Sequence, residues 1–127
     1  MGAKLALPDR PVVGLIGDGS AMYTCQGLWT AAHYKIPVTW VILNNSSYRI
    51  LKQRLNAMRG LAAQADSYVA MNLVEPAVDY VGLARSLGVK AERAANVAEA
   101  VDLVKQGVGG GGPLLIDVAT DRNFKPV

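Results

Sequence analysis

The sequence contains one cysteine, one histidine and no long hydrophobic run, and each scarcity excludes a class of function. With only Cys25, the chain can form no internal disulfide and no zinc site built from several cysteines. His33 lies near the end of a predicted helix, and we interpret it as a surface or packing residue. Cys25 falls inside the same predicted helix, and we interpret it as a buried, unreactive thiol. No apolar run approaches the roughly 18 residues of a membrane-spanning helix, so we expect no membrane contact and a cytoplasmic location.

Charge is also scarce, since charged residues make up 18% of the chain and the net charge is +3. The densest basic group (Arg49, Lys52, Arg54, Arg59) falls on a predicted helix, which we interpret as solvated or facing a partner. It lacks the neighbouring aromatic residues of a nucleic-acid surface, so we expect no nucleic-acid binding. Hydrophobic residues make up 51% of the 127 residues, as in one folded globular domain.

Alternating apolar runs and amphipathic segments predict an α/β fold. Apolar runs, typical of strands buried on both faces of a parallel sheet, occur at 12–16, 38–43 and 114–118, and a further strand is predicted at 89–93. Helices are predicted at 22–34, 48–58, 78–87 and 96–106, and residues 59–76 are predicted to form a long loop. This order predicts a doubly wound, mostly parallel sheet with helices on both faces.

The N-terminal residues, one helix start and one glycine-rich segment allow further predictions. Residues 1–7 resemble the end of an amphipathic helix without an N-cap, so we expect residues 1–127 to be a single domain that belongs to a longer protein. Asn96 and Glu99 form a predicted capping box. Gly109–Gly112 predict a flexible hinge before the last strand.

Polar loops follow the first two predicted strands, at residues 17–20 and 44–47. In a parallel sheet with right-handed crossovers, both loops lie at the same carboxyl edge, where open α/β sheets bind ligands. Gly17 and Gly19 allow a ligand to approach the main chain closely, and Ser20 begins a helix whose N–H groups suit a phosphate.

The same loops offer oxygen ligands for a cation. The Asp18 carboxylate would repel a neighbouring phosphate unless a cation lay between them, and Mg²⁺ takes ligands from carboxylates, amides and phosphates. Asn45 offers an amide oxygen from the second loop. The two loops therefore predict a clamp for a diphosphate and Mg²⁺.

Gly17-Asp18-Gly19, followed by 24 residues and then Asn44-Asn45, resembles the thiamine-diphosphate signature of the decarboxylase and acetohydroxyacid synthase superfamily. The resemblance covers nearly all of the chain and implies that the chain is the C-terminal, diphosphate-binding domain of such an enzyme. It implies thiamine diphosphate and Mg²⁺ as cofactors, with Asp18, Asn45 and the Ser47 carbonyl as metal ligands. Gly-Asp-Gly also occurs in diacylglycerol- and NAD-kinase-like folds, but no further kinase motif is present. A dinucleotide site would need a third glycine after Gly19.

The segment after the paired asparagines indicates which member of the superfamily the chain resembles. Leu51 stands where pyruvate decarboxylases have a catalytic glutamate, and the Leu-Gly-Met-Val pattern of acetohydroxyacid synthases is absent. Tyr48-x-x-Leu51 and the Leu-Trp-Thr-Ala-Ala of residues 28–32 resemble benzoylformate decarboxylase, although Arg49 replaces a small residue. This likeness implies decarboxylation of a 2-oxo acid (benzoylformate to benzaldehyde and CO₂), with Tyr48, Ile50 and Leu51 lining the cofactor or substrate pocket.

The resemblance also implies what this chain does not supply. In the superfamily a pyrimidine-binding domain contributes the activating glutamate, usually across a homo-oligomer interface, so we assign no catalytic residue here. We expect the chain alone to be inactive. The alternatives are a carboligase domain like that of acetolactate synthase, and a non-catalytic cofactor-binding or interaction module.

Overall fold

The computed structural model describes residues 1–123. Within them, one parallel sheet has the order β1-β2-β4-β3. Its strands are β1 (Val13–Gly17), β2 (Thr39–Asn44), β3 (Lys90–Ala94) and β4 (Leu114–Ala119). The helices are α1 (Gly2–Ala6), α2 (Asp18–Ala21), α3 (Gly27–His33), α4 (Arg49–Ala57), α5 (Leu61–Gln64), α6 (Tyr80–Ser86) and α7 (Val97–Gly109).

Helices pack on both faces of the sheet, since successive strand residues point to opposite sides. One face of the edge strand β1, which was predicted to be buried, is nevertheless exposed. Leu115 joins a buried cluster that contains Leu28 of α3 and Ala84 of α6. The next residue, Ile116, belongs to a separate cluster that includes Leu103 of α7. Every strand pair is parallel, which confirms the predicted doubly wound α/β architecture.

The strand register places the two predicted binding loops side by side. Gly17, the last residue of β1, pairs with Leu43 of β2, and Asn44 pairs with Ala119 of β4. Both loops therefore leave the sheet at the same edge. None of the helices in residues 1–123 is both long enough and apolar enough to cross a membrane.

The prediction of one helix over residues 22–34 is wrong in its first part. Asp18–Ala21 already form α2, residues 22–26 are turns, and α3 begins only at Gly27. The apolar face starts at Leu28, which is 8% exposed, whereas Tyr23 is 76% exposed and adds no packing that would extend α3 toward the N-terminus. Cys25 lies in these turns and is half-buried.

Two other segments are more regular than predicted. The long loop at 59–76 contains α5, and α7 continues to Gly109, so the expected hinge begins only at the helix end. At the start of α7 the Asn96 side chain accepts a hydrogen bond from the Glu99 main-chain N–H at 2.9 Å. Glu99 accepts one from the Ala95 N–H at 2.8 Å, so both members of the predicted box cap the helix.

Candidate cofactor-binding site

A cavity of about 280 Å³ lies between the two polar loops at the carboxyl edge of the sheet. Its lining is Gly17, Asp18, Gly19, Ser20, Leu43, Asn45, Ser47, Tyr48, Arg49, Ile50 and Thr120. The fold thus brings together eight of the nine predicted site residues. The ninth, Leu51, is 45% exposed on α4 and lies outside the cavity lining.

Asp18 joins the two loops. Its side chain is buried, with 2% of the residue exposed. Oδ1 accepts a hydrogen bond from the Gly19 N–H at 2.9 Å, and Oδ2 accepts one from the Ser47 N–H at 3.2 Å. Each carboxylate oxygen has more than one lone-pair site, so both retain capacity to bind a cation.

Asn45 carries an unpaired acceptor at this cavity. Among the described residues, its Oδ1 is the one buried side-chain nitrogen or oxygen atom without a hydrogen-bond partner. Leaving such an atom buried and unpaired costs about 1–3 kcal/mol. An oxygen ligand to a cation would remove that cost, so the arrangement fits the predicted metal role.

A strained turn directs Asn45 toward the cavity. Ser46 has a φ of 52°, in the left-handed region that non-glycine residues rarely adopt. Asn44 stabilises this conformation, because its Oδ1 accepts hydrogen bonds from the Ser46 N–H at 3.1 Å and from the Ser46 hydroxyl at 3.3 Å.

The turn is anchored to the sheet by Asp117, which the sequence analysis missed. Asp117 is 2% exposed in β4, and its Oδ1 accepts a hydrogen bond from Asn44 Nδ2 at 3.0 Å. Its other oxygen accepts one from Arg93 Nε at 3.1 Å. The signal in the sequence is an acidic residue within the apolar run Leu-Leu-Ile-Asp-Val, because a buried charge requires partners.

Ser47 and Tyr48 form the other wall of the cavity. The Ser47 hydroxyl donates to the Met71 carbonyl oxygen at 3.0 Å, which leaves the Ser47 main-chain carbonyl as the group for the predicted metal role. The Tyr48 ring lies against Gly19, where an added Cβ would come within 2.5 Å of Cε1. A glycine at position 19 is therefore required for this ring position.

Tyr80 is a second residue that sequence reasoning did not identify. It lies at the start of α6, is 2% exposed, and donates its hydroxyl hydrogen to the Asp18 main-chain oxygen at 2.9 Å. Burial raises the pKa of Tyr80, and the negative charges of Asp18 and Asp117 raise it further. The hydroxyl consequently remains a donor across the neutral range.

The basic residues of α4 were predicted to be solvated or to face a partner, but two of them are bound within the chain. Lys52 is 8% exposed and donates from Nζ to Asn72 Oδ1, which ties α4 to the following loop. Arg49 lines the cavity, and its Nη1 donates to the Asp121 main-chain oxygen at 3.1 Å. A guanidinium therefore stands beside the predicted diphosphate position.

The chemistry of the available donors selects a hard cation. Residues 1–123 contain no group of three or more histidine, cysteine, aspartate or glutamate side chains that could hold a metal. The cavity offers instead one carboxylate, one amide oxygen and a main-chain carbonyl. Mg²⁺ accepts such a mixed oxygen set and takes its remaining ligands from phosphates and water.

Comparison with known proteins identifies the family. Residues 1–118 match the family model described as "Thiamine pyrophosphate enzyme, C-terminal TPP binding domain". A Mycobacterium tuberculosis protein named "Putative acetolactate synthase large subunit IlvX" is 41% identical over 93% of this chain and 23% of its own length. Benzoylformate decarboxylase of Pseudomonas aeruginosa is 38% identical over 94% of this chain and 21% of its own length.

A solved structure agrees with these relatives. The thiamine diphosphate-dependent 4-hydroxybenzoylformate decarboxylase of Rhodococcus jostii RHA1 superimposes with a TM-score of 0.84 at 38% identity. The match covers 96% of this chain and 22% of that one, so this chain spans about a fifth of the proteins it resembles. The chain belongs to the C-terminal thiamine-pyrophosphate-binding domain family of thiamine-diphosphate-dependent enzymes.

Proposed function

We propose that this chain forms the diphosphate- and Mg²⁺-binding half of the active site of a 2-oxo acid decarboxylase of the benzoylformate decarboxylase type. The observation that carries the cation site is the buried, unpaired Asn45 Oδ1 at a cavity that Asp18 also lines. An unpaired amide oxygen beside a buried carboxylate is an arrangement that a divalent cation stabilises.

Each residue then has a defined task. Asp18, Asn45 and the Ser47 carbonyl hold Mg²⁺, and the main chain at Gly17 and Gly19, with the Ser20 hydroxyl, receives the diphosphate. The Arg49 guanidinium at the cavity wall compensates part of the diphosphate charge. When bound, thiamine diphosphate supplies the electron sink for decarboxylation, and the protein supplies position and electrostatics.

The substrate class rests on residue types and on the relatives. Two similar proteins support an aromatic 2-oxo acid as the substrate, since one is named a benzoylformate decarboxylase and the other a 4-hydroxybenzoylformate decarboxylase. Ile50 at the cavity mouth adds an apolar surface, 61% exposed. The acetolactate synthase-like relative, at 41% identity, supports a carboligase as the second candidate.

We further propose that a pyrimidine-binding domain of the same enzyme, in a homo-oligomer, covers this cavity. Leu43 and Ile50 line the cavity and are 40% and 61% exposed, and Leu51 beside them is 45% exposed. Exposed apolar side chains around a polar site are typical of a surface that another domain covers. The catalytic groups would come from that domain, so we expect the isolated chain to be inactive.

Calorimetry tests the cation and diphosphate site directly. We expect thiamine diphosphate to bind the chain in the presence of Mg²⁺, and Asp18→Asn or Asp18→Ala to abolish the metal-dependent heat. Asp102→Ala is the matched control, because this aspartate is 67% exposed on α7 and pairs only with Lys105. Binding that is equal in the Asp18 variants and the wild type would remove the metal assignment.

A test of the reaction class requires a protein in which this domain is joined to the remaining domains of the enzyme. Supplied with benzoylformate, such a protein is expected to release CO₂ and benzaldehyde in equal amounts. Supplied with pyruvate alone, it should yield little acetolactate. Acetolactate as the main product would establish the carboligase instead.

A further inference from the structure

The Tyr80 hydroxyl is a polar atom inside an apolar cluster. The ring packs among side chains such as Leu28, Ala84 and Leu115, a cluster in which phenylalanine would fill the same volume. A buried tyrosine hydroxyl requires a hydrogen-bond partner. Its partner is the Asp18 main-chain oxygen, 62 residues away in the sequence and 2.9 Å away in space.

This contact differs from the other two that hold Asp18. The carboxylate oxygens accept hydrogen bonds from Gly19 and Ser47, which belong to the two binding loops themselves. Tyr80 belongs to α6, which packs in the core and does not line the cavity between the loops. The hydroxyl is thus a direct link from the packed core to the main chain of the first loop.

We propose that Tyr80 is a positioning residue for the cation site, and that its hydroxyl fixes the main chain at Asp18 and hence the direction of the Asp18 carboxylate. This inference rests on the proposed function. With the carbonyl of Asp18 held, the peptide plane between Asp18 and Gly19 cannot rotate without breaking a buried hydrogen bond. The Gly19 N–H, which donates to Asp18 Oδ1 at 2.9 Å, is part of that same peptide plane.

The consequence for metal binding follows from the strict geometry of Mg²⁺. Groups that orient a metal ligand without touching the metal change its affinity by about 10- to 100-fold when removed. Tyr80 acts through the main chain rather than on the carboxylate, so we expect about a tenfold loss. Ca²⁺ tolerates irregular coordination, and Mg²⁺ does not, so the loss should be smaller for Ca²⁺.

Tyr80→Phe removes one oxygen atom and keeps the ring in the core. We expect it to weaken Mg²⁺ binding in the presence of thiamine diphosphate about tenfold, and Ca²⁺ binding about threefold or less, as the two ligand geometries require. Titrations are run at a temperature at which circular dichroism shows both proteins to be fully folded. Tyr34→Phe is the matched control, because Tyr34 is 67% exposed and is not among the residues that line the cavity.

Hydrogen exchange in the metal-free chain provides an independent measurement. We expect the amides of Gly19 and Ser47 to exchange faster in Tyr80→Phe than in the wild type, while the amides of β2 and β4 keep their rates. Equal rates at Gly19 and Ser47 would overturn the inference whether or not the chain binds a cofactor. Equal losses for Mg²⁺ and Ca²⁺ would reduce Tyr80 to a structural role. A wild-type chain that binds neither metal would refute the proposed function but leave the exchange result decisive for Tyr80.

Discussion

Replacing each of the two adjacent asparagines of the second loop by alanine should change the free energy of unfolding of the ligand-free chain in opposite directions. Asn44 has its amide group engaged at both ends, with Ser46 as donor and Asp117 as acceptor. Asn45 has a buried Oδ1 with no partner. The two residues therefore form an internal pair in which only the hydrogen bonding differs.

The magnitudes follow from those contacts. Asn44→Ala leaves the Ser46 N–H and one oxygen of the buried Asp117 without partners, which should lower the free energy of unfolding by about 1–3 kcal/mol. Asn45→Ala removes the unpaired oxygen, whose burial costs a similar amount, and loses only the packing of a short, half-buried side chain. We expect a net gain of about 1 kcal/mol, or roughly 3–6 °C in Tm.

Chemical unfolding in urea, followed by circular dichroism without metal or cofactor, measures both changes. The same variants are then titrated with Mg²⁺ and thiamine diphosphate, and Asn45→Ala should bind neither tightly despite its greater stability. A fall in stability for Asn45→Ala as large as that for Asn44→Ala would show that Asn45 Oδ1 is satisfied in the free chain. The argument that this oxygen is reserved for a cation would then fail.

Two further predictions concern the packing of α7 and the titration of Tyr80. Gly107→Ala should destabilise the chain by about 1–2 kcal/mol, because the new Cβ would meet the buried Thr39 within 3 Å. In the same helix, a Cβ added at Gly109 would have no atom within 4 Å, so Gly109→Ala should be neutral or stabilising by up to about 1 kcal/mol. A thermal scan in which Gly107→Ala has the higher Tm of the two variants would contradict this packing. Because burial raises the pKa of Tyr80 above its ordinary value of 10.0, the unfolded chain loses this proton first, so stability should fall as pH rises beyond 10. The urea midpoint of the wild type should be lower above pH 10 than below it, and this decrease should be smaller in Tyr80→Phe. If the decrease is the same in both proteins, other groups cause it.

The strands could be predicted because their signal is local. The apolar runs around Val41 and Ile116 each mark a strand buried within the sheet. The run around Leu15 also marks a strand, but β1 lies at the edge of the sheet and Leu15 is 71% exposed, so its predicted burial on both faces was wrong. The parallel order then fixes where the strands end. The position of the two loops followed from this order without any knowledge of contacts, since Asp18 and Asn45 each come directly after a strand. The pocket-lining residues that follow the second loop were assigned from the family resemblance. Eight of the nine predicted residues consequently line one cavity.

What could not be predicted depends on contacts between distant parts of the chain. Tyr80 meets Asp18, and Asp117 meets Asn44 across 73 residues, and no periodic pattern carries either pairing. The turns at 22–26 were missed because Met22 is apolar and was therefore assigned to the buried face of a helix, whereas its side chain is 42% exposed. The burial of Lys52, predicted to be solvated or to face a partner, was missed because its hydrogen-bond partner Asn72 lies in a segment without regular structure.

Two unfavourable features lie next to each other at the turn beside the cavity, although Ser46 is only one of five non-glycine residues with a left-handed conformation in the described part of the chain. Ser46 adopts a left-handed conformation, and the next residue toward the strand, Asn45, buries an unpaired oxygen. Each feature costs about 1–3 kcal/mol and persists only where the surroundings enforce it. Asp117 and Tyr80 supply that enforcement from the sheet and from α6, one for each loop. If a cation repays the cost at Asn45, then the difference in stability between free and Mg²⁺-bound chain should be smaller in Asn45→Ala than in the wild type. An equal difference would mean that the strained turn serves the fold and not the ligand.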